Sequence, residues 1–392
     1  MVSGRPTVGD QPKATQNLVR PDMSALGLSA RARKARELGM RAMSLALFRP
    51  RMVLPYAHYE RSDVDGILVL QRGENASTDY YLRPRLAAAG VPTEVFDLDV
   101  DPADSVLLGD GGGRSLMVVF CRYASVRWLD ALDAARARLA RVALFMDDDL
   151  PAMMRAREIP ATARGKAALH FGAHVDRLSA LCGEVWVSTE ALAERCDTAR
   201  PRVLRPLPEA EPPEPATGTS NLIVYHGTDV HERERRFVLA VASEVAARAT
   251  GAVFEITGGP ELTRAAADLP NVRITPQLAW PEYLEAQSGR VAAISLAPLF
   301  PSPLNDARAP VKAFDAARLG AAGLYADAPA YRAFVRDGED GRLLPMEPGA
   351  WASAIVELLD EPERRLGLAA AARVRLIGLM KAERRFPPAP GE

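Results

Sequence analysis

Short apolar runs alternate with stretches of helical spacing along most of the chain, and this alternation constrains the fold more than anything else. Ile67-Leu68-Val69-Leu70 is a compact apolar run, followed by a polar loop, 71–79, and helical spacing over 80–89 that Gly90 closes. Further apolar runs lie at 93–96, 116–120, 142–146, 185–187 and 203–204, with helical spacing over 126–139, 161–181 and from Thr189. Residues 205–220 read RPLPEAEPPEPATGTS, and five prolines there make a linker. After it the alternation restarts: strands at 222–225, 253–256 and 272–274, helices at 232–248 and 281–287, and helical spacing over most of 348–379. Strands that alternate with helices imply parallel sheets wound on both faces. The expected plan is α/β, with two Rossmann-like, doubly wound domains facing across a cleft. Its parts are an N-terminal extension (1–60), a first domain (61–205), a linker (206–220), a second domain (221–375) and a tail (376–392).

The stretch 295–327, SLAPLFPSPLNDARAPVKAFDAARLGAAGLYAD, is the most informative. The run 291–299 has the composition of a buried parallel strand. A loop rich in Pro and Ser ends in Asn305-Asp306. Helical spacing over 311–319 comes next, Gly320 stops it, and 323–326 reads as the next strand. A loop and a helix start thus fall at the carboxyl ends of parallel strands, where open α/β sheets bind ligands.

This stretch resembles the donor-binding segment of retaining glycosyltransferases of the GT-B fold. The correspondence runs through Asn305 and Asp306, Lys312 with Asp315, Leu319-Gly320, and the tail Tyr331, Val335, Asp337-Gly338 and Gly341 to Leu344. Asp315 stands where the family usually has Glu, and the usual Pro before the strand is absent from Ala321-Ala322-Gly323. The likeness is specific over 222–344 and general over 66–204. It implies an enzyme, a hexosyltransferase-type glycosyltransferase, that uses a nucleotide sugar (UDP-, GDP- or dTDP-linked) as donor substrate and no separate cofactor. It further implies that Lys312 neutralises the departing diphosphate and that Asp315 accepts hydrogen bonds from the ribose hydroxyls.

The residues themselves leave alternatives beside these roles. Lys312 and Asp315 share a helix face at i,i+3, which suits a phosphate site or an ordinary surface ion pair. His226-Gly227-Thr228 ends the first strand of the second domain, with His231, Arg235 and Arg236 shortly beyond. Gly lets a backbone amide approach a phosphate, yet an ordinary strand–helix turn also favours Gly and Thr. Asn305 and Asp306 stand near the transferred sugar or form a turn. In the first domain, the loop with Gly73 and Ser77, then Arg83, overhangs the cleft on the acceptor side. Asp147-Asp148-Asp149 comes directly after a buried strand and suits hydroxyl groups, a metal, or the start of a helix at Leu150-Pro151. Asp148 and Asp149 are expected to line the acceptor side, with Asp148 also counted among the catalytic candidates. His170 and His174 share a face at i,i+4, but no third ligand accompanies them, so packing is expected there rather than zinc.

Composition narrows the partners. Lys and Arg total 49 against 50 Asp and Glu, a net charge of −1, so no general nucleic-acid footprint exists. Cys121, Cys182 and Cys196 have neither disulfide-framework nor metal spacing. A reducing cytoplasm is the expected compartment, with no secretion signal and no apolar stretch long enough to span a bilayer. Over 31–51, seven basic residues meet only one acid, Glu37, with Leu, Met and Phe among them. Such a helix either packs on its own domain or rests on the inner membrane surface. The expected role is transfer of a sugar to a glycan or lipid-linked acceptor, retaining and metal-independent, in surface polysaccharide biosynthesis. Two other readings stay open: a metal-dependent transferase using Asp147 to Asp149, and a non-catalytic nucleotide-sugar-binding or interaction protein.

Overall fold

The structure, a computed structural model, describes residues 50–108, 113–196, 201–215, 220–249 and 251–382. The polar start and all but the end of the basic stretch at 31–51 lie outside them. Among the described residues, twelve strands form two sheets. The first holds β1 (Gly66–Gln71), β2 (Thr93–Asp97), β3 (Leu116–Cys121), β4 (Leu139–Met146), β5 (Glu184–Val187) and β6 (Arg202–Val203) in the order β2-β1-β3-β4-β5-β6. The second holds β7 (Leu222–Tyr225), β8 (Val253–Thr257), β9 (Val272–Thr275), β10 (Ile294–Ala297), β11 (Ala322–Ala326) and β12 (Arg342–Leu344) in the order β12-β11-β10-β7-β8-β9. Every strand pairing is parallel.

Parallel strands covered on both faces need apolar side chains at every position. β1 and β3 meet that demand: all six residues of each are buried. Ile67 and Val69 enter one core and Leu68 and Leu70 the other, as the two-residue period of a strand requires. The first of these cores continues through Tyr80, Tyr81 and Leu82 into the second domain, where Phe314 and Leu324 belong to it. One apolar seam therefore joins the two sheets.

The helices that position the site are α1 (Arg83–Leu86), α2 (Val126–Ala134), α3 (Leu150–Arg155), α4 (Glu232–Ala246), α5 (Trp280–Gln287), α6 (Pro303–Asp306), α7 (Val311–Arg318), α8 (Pro348–Asp360) and α9 (Pro362–Ala382). Several differ from the sequence expectation. The helix expected over 80–89 is a π-helical turn, Thr78–Leu82, followed by the short α1. The helix expected over 126–139 stops at Ala134, and β4 takes Leu139 and Ala140, both buried. The run 291–299 is strand only over Ile294–Ala297. The loop before Asn305-Asp306 contains α6, whose start is capped by Ser302 Oγ accepting from the Asn305 amide at 3.2 Å. The long C-terminal helical stretch breaks between α8 and α9, where Pro362 lacks the N–H that a continuing helix needs. Helix α9 continues to Ala382, through the boundary expected at 375/376.

The motif after β11 has a structural explanation. Gly338 has φ +76, and its amide donates to the Gly341 carbonyl at 2.8 Å. Asp337 Oδ1 accepts from the Leu343 amide at 2.9 Å. This turn returns the chain to pair β12 with β11.

Candidate functional site

In the second sheet β7 and β10 are adjacent, although β8 and β9 lie between them in sequence. Loops leaving these two strands diverge, and the crevice between them is the binding position of a doubly wound sheet. The β7 loop carries His226-Gly227-Thr228, and the β10 loop leads through α6 to α7. Lys312, on the first turn of α7, donates from Nζ to the His226 carbonyl and lies 3.0 Å from Asp315 Oδ2. The phosphate-type candidates Gly227, Thr228 and Lys312 are therefore brought together. A Cβ on Gly227 would meet the Tyr225 hydroxyl at 2.9 Å, so only glycine fits without a shift. Arg235 is buried on α4 and donates to the Gly227 carbonyl at 3.0 Å, bracing the same turn. Arg236 is on the surface and pairs with Glu232.

Asp315 is buried in a cluster of its own. Its Oδ1 accepts from Arg318 at 3.2 Å and from the Tyr80 hydroxyl of the first domain. Burial pushes the Asp315 carboxyl up, but Lys312 and Arg318 more than offset this and hold it below the ordinary carboxylate range. Beside it, His226 bridges Tyr283 at 3.1 Å and Glu255 at 3.2 Å. Glu255 also takes both guanidinium nitrogens of Arg290 at 2.9 Å. Burial would raise the Glu255 carboxyl, yet hydrogen bonds from His226, Arg290 and Arg273 hold it far below its usual value.

His231 lies one short turn beyond Thr228. Its Nε2 faces Arg308 at 3.3 Å and its Nδ1 lies 3.8 Å from Glu234. Burial, with Arg308, Lys312 and Arg235 nearby, keeps the ring neutral by pushing its pKa well down. Asn305 donates from its side-chain amide to the Phe300 carbonyl at 2.8 Å, which closes the loop. Asp306 ends α6 half-buried, its amide on the Ser302 carbonyl at 2.9 Å.

In the first sheet β1 and β3 are adjacent with β2 displaced to the edge, which sets a second crevice opposite the first. Gly73 in the β1 loop has φ +61, and its amide donates to Asp97. Ser77 Oγ donates to Asp147 at 2.6 Å. Arg122 comes immediately after β3 with φ +69, an uncommon backbone for a residue with a Cβ and one seen at functional sites. Its guanidinium lies 3.2 Å from Asp147, 3.6 Å from Asp148 and 3.2 Å from Ser77. Burial raises the Asp147 carboxyl against the pull of Arg122. Asp148 meets Arg308 of the second domain at 3.8 Å. Asp149 takes a different role: it caps α3 by accepting from the Ala152 amide at 2.8 Å and pairs with Arg195 at 3.2 Å. Arg83 is tied to Asp79 at 2.9 Å, outside the Asp147 cluster.

Of the acceptor-side candidates, Ser77 and Asp148 thus share the Arg122 guanidinium, while Gly73, Arg83 and Asp149 are each engaged locally. Among the described residues no group of His, Cys, Asp and Glu could hold a metal ion. His170 packs its ring on Tyr123, and burial lowers its pKa to about 4. Sequence reasoning missed Arg122, Arg308, Arg318 and Tyr80. Arg122 stands directly after a buried strand, as Asp147 does after the next, and the same positional rule finds it.

Residues 220–361 match the family described as Glycosyl transferases group 1. No curated protein matches the chain. Among solved structures, TarM of S. aureus aligns at 12% identity over 68% of this chain and 53% of its own, with a TM-score of 0.50. The chain therefore spans about half the length of TarM. HepE of Anabaena, solved with UDP and glucose, aligns at 12% identity over 82% of this chain and 95% of its own, with a TM-score of 0.50. The sucrose-phosphate synthase of Thermosynechococcus elongatus aligns at 14% identity over 82% of this chain and 95% of its own, with a TM-score of 0.53. These likenesses establish the two-sheet GT-B architecture.

Proposed function

We propose that this chain, whose residues 220–361 match the Glycosyl transferases group 1 family within a GT-B fold, moves a sugar from a nucleotide-diphosphate donor to a glycan or lipid-linked acceptor. The observation that supports this best is the Lys312 amine, which reaches from the start of α7 to the turn at His226-Gly227-Thr228. A pyrophosphate in that crevice meets the Lys312 ammonium, held 3.0 Å from Asp315, and a glycine turn at a strand's carboxyl end. The bond from the anomeric carbon to the diphosphate oxygen breaks, and the acceptor hydroxyl oxygen bonds to that carbon as its proton passes to an oxygen of the departing diphosphate. Lys312 and the Gly227-Thr228 amides stabilise the charge that grows on the leaving diphosphate. Asp315 takes the ribose hydroxyls. Asp148, with Ser77 and Arg122 beside Asp147, faces the acceptor from the first domain, and Asn305 and Asp306 stand on the sugar side. His231 and Arg235 support the phosphate turn, one as a neutral ring and the other through the Gly227 carbonyl.

The resemblance favours a retaining outcome and a role in surface polysaccharide synthesis in the cytoplasm, with the basic residues before Arg51 touching the membrane. No helix among the described residues is long and apolar enough to cross a membrane. Metal independence is part of the reading, because Arg122 and Arg308 already face Asp147 and Asp148. HepE was solved with UDP and glucose, so UDP-sugars head the screen. A donor present at a hundred times its Kd stabilises the fold by about 2.7 kcal/mol, which a melting curve resolves. We expect one of the UDP-, GDP- or dTDP-sugars to raise the melting temperature. Lys312→Ala should abolish that rise and cut turnover about a hundredfold or more, while chelator leaves the wild-type rate intact. The reading fails if no nucleotide sugar binds, or if the variant turns over like the wild type.

A further inference from the structure

Resting on that assignment of Asp315, we propose that Tyr80 is an interdomain latch, which shuts the ribose end of the donor site and must withdraw for a donor to bind. Tyr80 belongs to the first domain, yet its hydroxyl donates to Asp315 Oδ1, 235 residues away. A carboxylate offers about four lone-pair positions. On Asp315, Oδ1 already serves Tyr80 and Arg318, and Oδ2 serves Lys312. One position remains, whereas a ribose diol brings two donors. Arg318 and Lys312 belong to the same helix as Asp315 and stay with it. Only the tyrosine can leave as the domains part.

The ring is wedged as well as bonded. Tyr80 is 3% exposed and packs against Trp280 at 5.8 Å and Phe314 at 5.7 Å between ring centroids. The Arg318 guanidinium lies over both the Tyr80 and the Trp280 rings, at 5.4 and 5.6 Å. A second contact crosses the cleft beside it: Trp280 Nε1 donates to Asp79 Oδ2 at 2.7 Å. Asp79 and Tyr80 are neighbours in the π-helical turn. Ser77 does not cap this turn; Asn75 Oδ1 accepts from the Thr78 amide at 3.0 Å instead, and single π-helical turns are rare and concentrate at functional sites. The first domain thus grips the second through two consecutive residues of one turn.

A donor that binds only the unlatched form has its apparent affinity reduced by the unlatched fraction. A hydrogen bond to a charged group shifts such an equilibrium by about tenfold or more. Tyr80→Phe keeps the ring and its packing and removes the hydroxyl alone. Trp280→Phe loosens the second contact independently. The test is calorimetric titration of wild type, Tyr80→Phe, Trp280→Phe and Lys312→Ala with UDP, GDP and dTDP. We expect Tyr80→Phe to bind the accepted nucleotide at least threefold more tightly than wild type, and Trp280→Phe to move the same way. Equal or weaker binding by Tyr80→Phe, with wild-type binding still lost in Lys312→Ala, overturns the latch and leaves the donor assignment standing. If none of the nucleotides binds either wild type or Tyr80→Phe, the donor assignment fails and the latch falls with it.

Discussion

At the scale of single residues, the site is defined by which charges its surroundings allow. Asp315 remains ionised because two cations on its own helix outweigh its burial. His231 remains neutral because burial and three nearby cations exclude a fourth charge. That neutrality has a consequence for stability. An unfolded histidine takes up a proton below about pH 6.5, and the folded ring at 231 does not. Its folded pKa is depressed, so its contribution to stability is whole above that pH and drains away as pH falls. His170, with a folded value of about 4, acts in the same sense from about pH 6.5 down to about 4. Each such group gives a slope of up to about 1.4 kcal/mol per pH unit within its window. Denaturant unfolding at pH 7.5, 6.5 and 5.5 should show stability falling with pH. His231→Gln, whose amide oxygen still accepts from Arg308, should flatten the fall by about one proton's slope. An unchanged slope in that variant would mean that the ring protonates in the folded protein.

At the scale of elements, the three acids after β4 take different roles because a helix begins at only one of them. Asp149 is the first residue of a helix start, and its carboxylate is used by the Ala152 amide. Loss of such a cap costs about 1 kcal/mol. Asp149→Ala should therefore lower stability by about that amount while the transfer rate stays within about twofold. Asp148→Asn, beside Arg122 and Arg308, should show the reverse: a lower kcat/KM for the acceptor and an unchanged melting temperature. A rate loss in Asp149→Ala without a stability loss would return that residue to the acceptor site. The same contrast explains what the sequence could and could not reveal. The strands were legible because runs such as Leu116 to Cys121 must be apolar on both faces. The glycine turn and Lys312 were legible because strand ends and helix starts are local features. The cap role of Asp149 was one of several local options, and only the helix geometry decides among them. The π-helical turn at Thr78–Leu82 was not legible, because Tyr80 is held by Phe314, Trp280 and Asp315, all about two hundred residues away or more. Arg308 was overlooked inside the most closely read stretch, since its importance depends on Asp148 in the other domain.

At the scale of the whole molecule, two sheets with their own switch points need a connection that permits motion without losing register. Thr189 Oγ1 donates to the Ala307 carbonyl across the cleft at 2.8 Å, and Arg308 meets Asp148 at 3.8 Å. These polar contacts flank the apolar seam through Tyr80, Trp280 and Phe314, so the boundary between the halves is part polar and part packed. The linker is not left free. Arg373 on α9 donates to the Pro212 carbonyl at 2.8 Å and pairs with Glu214 at 3.0 Å. Helix α9 is itself anchored to the second domain through buried Leu368 and Leu376. The linker is therefore held at both ends, because the Leu207 amide also donates to the Tyr80 carbonyl of the first domain at 2.7 Å. Glu214 is mostly exposed, so the ion pair adds little; the bond to the Pro212 carbonyl is the stronger restraint. Arg373→Ala should leave the melting temperature within about a degree, because it removes no core packing. It should make the chain between 205 and 215 several times more sensitive to a protease that cleaves after glutamate, at Glu209, Glu211 or Glu214. Cleavage rates equal to wild type would show that the prolines alone keep the linker in place, and that the C-terminal helix has no part in how the two halves are held.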